Sequence, residues 1–584
     1  MDLSSRQRKI FWIAAAVCAL TRFASMARSL WDWDEALFSL GMREYDVASH
    51  HPHPPGFPVF IAVAKIVRLV ASSDFRALQS ISLVAGMLAF PAVFLLAREL
   101  RMRFETSLVA AALFVFFPNV WFFGGTAFSD VPSIVLVIWA VVFLFRGARS
   151  RRDYWIGTAL LALAAGIRPQ NLVIGLFPGI LAMRRRPLRD SVVALLIGVT
   201  ICGVAYGSAV IATGDLERYM TAVRAHGEYI SRVDSFRSEA RPPLWRIADR
   251  FFIKNYQSTP LSLVTSLFVM VSAVGSIRSK HRPIVWNLLT FGPFALMAWL
   301  LLDRFSISRF SIGYAPMFAL LAADGIARMA TFVWRRAPSP AELAIGGSLV
   351  AAFILWTFPA FTAVRNEIAP PVAAATAVAE SFDPARQQLF VAYSMVPFME
   401  YFAPSYPVTR VMDDRAIPLT PAANPFLLAE MLHSKPGGRM YERGRDRLWN
   451  IARRHYFEVV LKPMTNVARF ESGWFEAEGE GYNEWRVMGD ATAVVLLPSA
   501  NGATELALLL DIPDELFGSA LTISLNGAAI ERVVMTDREV SREYPVTGAP
   551  GGAVNRLEIT SDRLATIDGR PRGPRLRFLS WGPD

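Results

Sequence analysis

For its first 365 residues the chain alternates long apolar stretches with short polar gaps. A window of about 20 residues, the length that crosses a hydrocarbon core, finds spans at roughly 10–29, 78–97, 106–124, 129–146, 154–168, 170–184, 191–212, 258–276, 284–302, 308–331 and 341–364. This pattern predicts a polytopic α-helical membrane protein with about 11 transmembrane helices. The run 56–73, GFPVFIAVAKIVRLVASS, is also apolar, but it opens on a Pro-Pro-Gly break. It carries Lys65 and Arg68 three apart on one helix face, so it is read as a helix lying on the membrane surface. Beyond about residue 366 the apolar runs shorten to strand length. Residues 366–464 read as a mixed α/β region, with LFVAYS and FEVVLKP as buried strands. From 465 to 584, runs such as TAVVLLP, ELALLLDI and LTISLNG alternate with turns, the pattern of a small β-sandwich.

Charge orients these spans. With Arg6, Arg8 and Lys9 in the cytoplasm and eleven spans, the basic gaps Arg98–Arg103, Arg146–Arg152, Arg184–Arg189, Arg278–Arg282 and Arg335–Arg336 all fall inside. A twelfth span at 56–73 would invert most of them. The same topology puts 366–584 outside the cytoplasm. Composition agrees with a membrane chain, at 53% hydrophobic and 19% charged residues. A net charge of +11 in a soluble protein would suggest nucleic acid. Here the arginines sit in the gaps between spans, so topology accounts for them and no nucleic-acid partner is expected. Cys18 and Cys202 each lie within an apolar run, with no disulfide framework and no metal-ligand spacing. The first run lacks a small-residue cleavage site and is read as a retained anchor.

The outer face then collects five polar segments. The first is Trp31 to Gly56, WDWDEALFSLGMREYDVASHHPHPPG, with Asp32, Asp34, Glu35, Asp46, His50, His51 and His53. The second holds Asp130, and the third is the Pro-broken joint Arg168-Pro169-Gln170-Asn171. The fourth is a long loop over about 213–257 with His226, Glu228, Tyr229, Arg232 and Asp234. The fifth, DRFSISRF, contains Asp303, Arg304 and Arg309. Ionisable groups that gather at one membrane face are candidates for a site meeting a lipid-borne substrate.

The pair Asp34-Glu35, the entry His53-Pro54-Pro55-Gly56, the Ser129-Asp130 pair and the Arg168 joint, in that order, resemble the GT-C superfamily of membrane glycosyltransferases. The protein O-mannosyltransferase and aminoarabinose transferase branch is the nearest likeness, over roughly residues 10–365. The resemblance implies transfer of a sugar from a polyprenyl-phosphate carrier to an acceptor hydroxyl on the outer face, with inversion. A bacterial inner membrane is the expected location. The tail 465–584 also looks like the carbohydrate-binding β-sandwich attached to some of these enzymes.

The implied chemistry suits the residue types. An attacking hydroxyl needs a carboxylate to take its proton, and an anionic leaving group needs cations, which guanidinium supplies in fork geometry. Asp34, Glu35 and Asp130 are the candidate catalytic acids. Neighbours on a helix point in different directions, so one of Asp34 and Glu35 takes the base role; the resemblance implies Asp34 by its position and leaves Glu35 an orienting or structural role. His53, Arg168, Gln170, Arg304, Arg309, His226 and Glu228 are the candidate substrate-binding residues. Each has a plainer reading. Asp34 and Asp130 could cap helices, Arg168 could snorkel to the interface, and His53 could simply shape its loop. A divalent cation, Mg or Mn, on Asp32 and Asp34, or a metal on His50, His51 and His53, is a further reading, and neither spacing is specific. In the tail, Trp474, Glu476, Tyr482, Trp485 and Arg486 read as core aromatics and their neighbours, with a sugar platform as the rival. The acceptor is a lipid, a glycan or a protein. The alternative functions are a polytopic transporter or flippase, or an assembly subunit of a cell-envelope glycan pathway.

Overall fold

The computed structural model describes residues 3–233, 235–238, 241–279, 282–301, 307–419, 424–431, 434, 437–443, 458–479, 484–498, 505–545, 554–567 and 569–582. The chain divides into two units, Met1–Ala369 with Gly444–Arg454, and Pro370–Arg443 with His455–Asp584.

The first unit is helical. Six stretches among the described residues are long and apolar enough to cross a membrane: Asp74–Glu99, Asp130–Gly147, Leu188–Thr213, Thr259–Ser276, Ala315–Val333 and Pro338–Ser381. The last begins with the helix Pro338–Asn366. The other five predicted spans also carry helix, in shorter or more polar form: Ser5–Thr21, Phe104–Phe116, Arg151–Ile167, Leu172–Arg185 and Arg282–Leu301. Proline accounts for two of the shortenings. Pro118 cannot donate to the helix before it and holds Phe117 extended (ψ 132°), so the run predicted over 106–124 breaks into Phe104–Phe116 and Pro118–Phe123. Pro169 likewise ends Arg151–Ile167 and starts a 3-10 turn, Pro169–Asn171.

The 56–73 run forms the helix Pro58–Arg68, whose 11 residues reach only about 16 Å, half of a hydrocarbon core. Arg68 turns toward the next helix and pairs with Asp74 at 3.0 Å. The segment read as a long loop over 213–257 is largely helical instead. It holds the helix Leu216–Val233, the short helix Leu244–Ala248, and turns at Asp249–Ile253 and Lys254–Tyr256. Its polar composition masked the helix, because only Tyr219 of Leu216–Val233 is buried.

In the second unit, the strands Val408–Val411, Gln388–Ala392, Pro425–Glu430, Glu458–Pro463 and Arg439–Glu442 lie in that order in one sheet. The first three pair parallel and the last two join antiparallel. Two larger sheets follow, besides the two-stranded pair Ala565–Ile567 and Arg570–Arg572. One contains Thr492–Leu497, Ala520–Leu525 and Asn555–Ser561, and the other Glu505–Asp511, Glu539–Pro545 and Arg575–Trp581. Along Glu505–Asp511, Leu506, Leu508 and Leu510 alternate inward. They share one apolar core with Val495, Ile523 and Ile559 of the other sheet.

Candidate active site

The site is built on the start of the helix Trp33–Arg43. Asp32 is its cap, with Oδ1 accepting the Asp34 N–H at 3.1 Å, and Glu35 completes the reciprocal pair by accepting the Asp32 N–H at 3.1 Å. Glu35 does more than close the cap. Its Oε2 also accepts the Trp31 N–H at 2.5 Å, and its Oε1 accepts the Ala127 N–H at 2.7 Å. Glu35 is fully buried, and that burial pushes its carboxyl up to about 8 even against three amide donors. Both oxygens are spent on backbone, so Glu35 is a strap between the helix start and the segment that leads to Asp130. Capping falls to Asp32, which leaves the Asp34 carboxylate to face the site.

Asp34 meets Arg309, whose Nη1 donates to Asp34 Oδ2. Arg309 Nε lies 3.7 Å from Asp130 Oδ1, and the other Asp130 oxygen accepts from Arg168 Nη2 at 2.8 Å. The four charges alternate along one line: Asp34, Arg309, Asp130, Arg168. Their sum is zero, which lets four charges be buried together, since each desolvated ion has an opposite neighbour. Asp34, Asp130 and Arg168 are all buried.

Local backbone explains each placement. Arg168 precedes Pro169, which excludes the helical region and swings it to φ −146°, ψ 105°. Its side chain then reaches Ser129 Oγ at 2.9 Å as well as Asp130. Asp130 opens the helix Asp130–Gly147, where the positive end of the helix favours an acid. Ser129 makes no cap bond there, and its hydroxyl serves Arg168 instead. Arg309 sits in the turn Ile307–Phe310, before the helix that begins at Ala315. Aromatic faces flank both guanidinium groups. Arg168 lies 5.4 Å from the Phe57 ring centroid and Arg309 5.0 Å from that of Phe128, with Phe310 beside both. These rings were not singled out in the sequence. Their signal was an aromatic next to each polar joint.

His53 completes the group, with Nδ1 4.0 Å from Asp34 Oδ1 and no hydrogen bond to that nitrogen among the described residues. Burial drives its pKa down to about 3, outweighing the attraction of Asp34, so the ring is neutral. The loop that presents it is firmly held. Tyr45 Oη donates to the Gly56 carbonyl and Tyr219 Oη to the Pro55 carbonyl, each at 2.9 Å, and Arg218 pairs with Asp46. Gly56 adopts φ +97°, where a Cβ would come within 2.4 Å of Tyr45 Oη, so only glycine fits. His226, on Leu216–Val233, approaches His53 with ring centroids 5.9 Å apart and His50 at 6.3 Å. Burial lowers the pKa of His226 too.

Other candidates fall elsewhere. Gln170 lies half-buried in its 3-10 turn, and its neighbour Asn171 is the residue that bonds inward, to Ser133. Glu228 is exposed on its helix. Arg304 and Asp234 lie outside the described residues. Asp32 Oδ1 caps the helix and Asp34 Oδ2 holds Arg309. No group of three His, Cys, Asp or Glu among the described residues is placed to hold a metal ion. In the tail, Trp474 donates to the Val494 carbonyl against the core, and Arg486 is buried on the Leu419 and Phe475 carbonyls. Trp485 is half-buried beside Arg575 and Arg577, and Tyr482 lies outside the described residues.

Residues 50–206, which include His53, Asp130 and Arg168, match the family model described as dolichyl-phosphate-mannose-protein mannosyltransferase. No curated protein matches the sequence. In fold, the chain is similar to ArnT from Cupriavidus metallidurans in its crystal structure bound to undecaprenyl phosphate. The TM-score is 0.50 at 11% identity, covering 79% of this chain and 98% of that one. Similarity to the arabinofuranosyltransferase AftD from Mycobacteria is lower, with TM-score 0.46 at 11% identity over 99% of this chain and 59% of that one. The chain thus carries, over residues 50–206, a stretch similar to this mannosyltransferase family, within a fold similar to that of ArnT.

Proposed function

We propose that the protein transfers a sugar from a polyprenyl-phosphate carrier to an acceptor hydroxyl at the membrane surface where Asp34 lies. The observation that carries this reading is the alternating row Asp34, Arg309, Asp130, Arg168 beside neutral His53. The ArnT structure, with its bound undecaprenyl phosphate, supports the choice of carrier class.

In this reading the acceptor oxygen attacks the anomeric carbon, and the bond from that carbon to the phosphate oxygen breaks. The acceptor proton passes to Asp34, and the bonding pair leaves with the polyprenyl phosphate. Configuration at the anomeric carbon inverts. One unit of negative charge thus disappears from Asp34 and one appears on the phosphate. Arg309 already pairs with the carboxylate that loses charge, so it is suited to follow the charge to the leaving group. A phosphate that engages Arg309 in the ground state also loosens its grip on Asp34 and restores the carboxylate as a base. Asp130 holds Arg168 and Arg309 together as the phosphate-binding fork. Neutral His53 and His226 offer polar contacts to the acceptor without adding charge.

We place the site on the extracytoplasmic face of a bacterial inner membrane, with residues 366–584 on the same side, on the strength of the arginine bias. The test is incubation of the protein in nanodiscs with a panel of polyprenyl-phosphate sugars, following release of the lipid phosphate. Release that depends on Asp34 supports the reading. A transporter or scaffold would show no release from any donor, and a scaffold would keep its function with Asp34→Asn.

A further inference from the structure

The described residues 236–238 and 241–252 have two unlike faces. Ile247 and Phe251, four apart on one side of a helical turn, are buried. Phe251 stacks on Tyr314 with centroids 4.4 Å apart at 19° and meets Phe318 edge-on, while the Phe236 N–H donates to the Leu300 carbonyl. The segment is therefore fixed to the helical unit. Its other face exposes Phe236 (44%), Leu244 (66%), Trp245 (65%) and Phe252 (42%). Arg237 covers the Phe236 ring at 5.5 Å and Arg246 the Trp245 ring at 5.3 Å. From 236 to 254 the sequence holds five bases, Arg237, Arg241, Arg246, Arg250 and Lys254, against two acids, Glu239 and Asp249, and Asp249 pairs with Lys254.

Its depth follows from its neighbours. The segment lies, after the helix Leu216–Val233, in the connection between two stretches long and apolar enough to cross a membrane, Leu188–Thr213 and Thr259–Ser276. Both ends are on the site side. Thr213 Oγ1 accepts the Val47 N–H, and Asn255 Oδ1 accepts from Asn119 Nδ2, which also donates to Ser311, two residues from Arg309. An exposed aromatic and aliphatic face, rimmed by arginine and held where helices leave the bilayer, suits the headgroup layer, with rings at the acyl boundary and guanidinium on phosphate.

We propose that residues 236–238 and 241–252 form an in-plane anchor that seats the site end of the protein on anionic lipid headgroups. The basic excess selects anionic lipid over a second copy of the chain, whose matching surface would carry the same charge. This holds whatever sugar or acceptor the site takes.

The test uses the full chain with Cys18 and Cys202 replaced, spin-labelled at Leu244→Cys, in nanodiscs of phosphatidylglycerol with phosphatidylcholine. Ser541→Cys, on the exposed surface of the β-rich region, serves as the water reference. The label at 244 should show an oxygen-to-nickel-chelate accessibility ratio several-fold above that at 541. Replacing phosphatidylglycerol by phosphatidylcholine should move it toward water, and Arg237→Gln with Arg246→Gln should abolish that dependence on lipid charge. A ratio equal to that at 541, or shielding from both reagents as in a protein contact, overturns the anchor. A membrane-like ratio indifferent to lipid charge overturns the anionic preference.

Discussion

Replacing Asp34 by Asn keeps the volume and one acceptor oxygen but removes the negative charge that Arg309 now holds. Two effects of opposite sign follow. A general base contributes about 10²–10⁴-fold to turnover, or about 2.7–5.5 kcal/mol of barrier, and Asn cannot accept the acceptor proton. The charge-assisted contact to Arg309 is worth roughly 1.5–3 kcal/mol, and incoming phosphate has to compete with it. Losing that competitor should leave donor affinity unchanged or improve it by up to about tenfold, some 1.4 kcal/mol. Turnover and donor affinity should therefore separate. The assay pairs equilibrium binding of a radiolabelled polyprenyl-phosphate sugar in nanodiscs with single-turnover release of polyprenyl phosphate. Turnover within about tenfold of the parent, or donor affinity lost in step with turnover, would refute Asp34 as a base held in check by Arg309.

Three other outcomes are expected. Arg168→Ala should lower Tm sharply, since breaking a buried pair costs about 3–5 kcal/mol; adding Asp130→Asn should recover Tm but not donor binding, and recovery of both would remove Arg168 from phosphate contact. Glu35→Gln leaves one acceptor oxygen for three amide N–H donors, a loss of about 1–3 kcal/mol that thermal unfolding would detect, while donor affinity should persist; an unchanged Tm counts against the strap. His53 has a folded pKa of about 3 against 6.5 for the free side chain, so the unfolded chain binds the extra proton and stability should fall as pH drops from about 6.5 toward 3. In His53→Asn that decline should flatten, and an identical pH profile for both proteins would show that the imidazole titrates freely.

Much of this arrangement was legible in the sequence because it rests on period and punctuation. Apolar runs found the helices, and Pro169 marked the joint that turns Arg168 inward. The order of Asp34, Asp130, Arg168 and Arg309 along the chain placed all four at polar joints between apolar runs. Other features were hidden for physical reasons. Whether Asp32 or Asp34 caps the helix depends on a backbone change one residue wide, which composition does not register. The role of Glu35 depends on the Ala127 amide, 92 positions away. The helix Leu216–Val233 was taken for loop because its composition is polar on average, although Tyr219, Met220 and Val223 make an apolar stripe that packs with Val47 and Ala209.

The Glu35 strap also bears on how such proteins can be recombined. It joins the helix that carries Asp34 to the backbone three residues before Asp130. The stretch it grips is further tied to the chain after the first helix, because the Ala27 N–H donates to the Gly125 carbonyl and Gln79 Nε2 bridges the Ala27 and Gly125 carbonyls. At Gly125 an added Cβ would lie 1.9 Å from the Ser25 carbonyl oxygen. A chimaera that exchanged residues 31–57 alone would set a foreign helix against a receptor surface shaped for this one. Segments 22–43, 76–79 and 124–130 therefore form one heritable block, to be transplanted together or not at all.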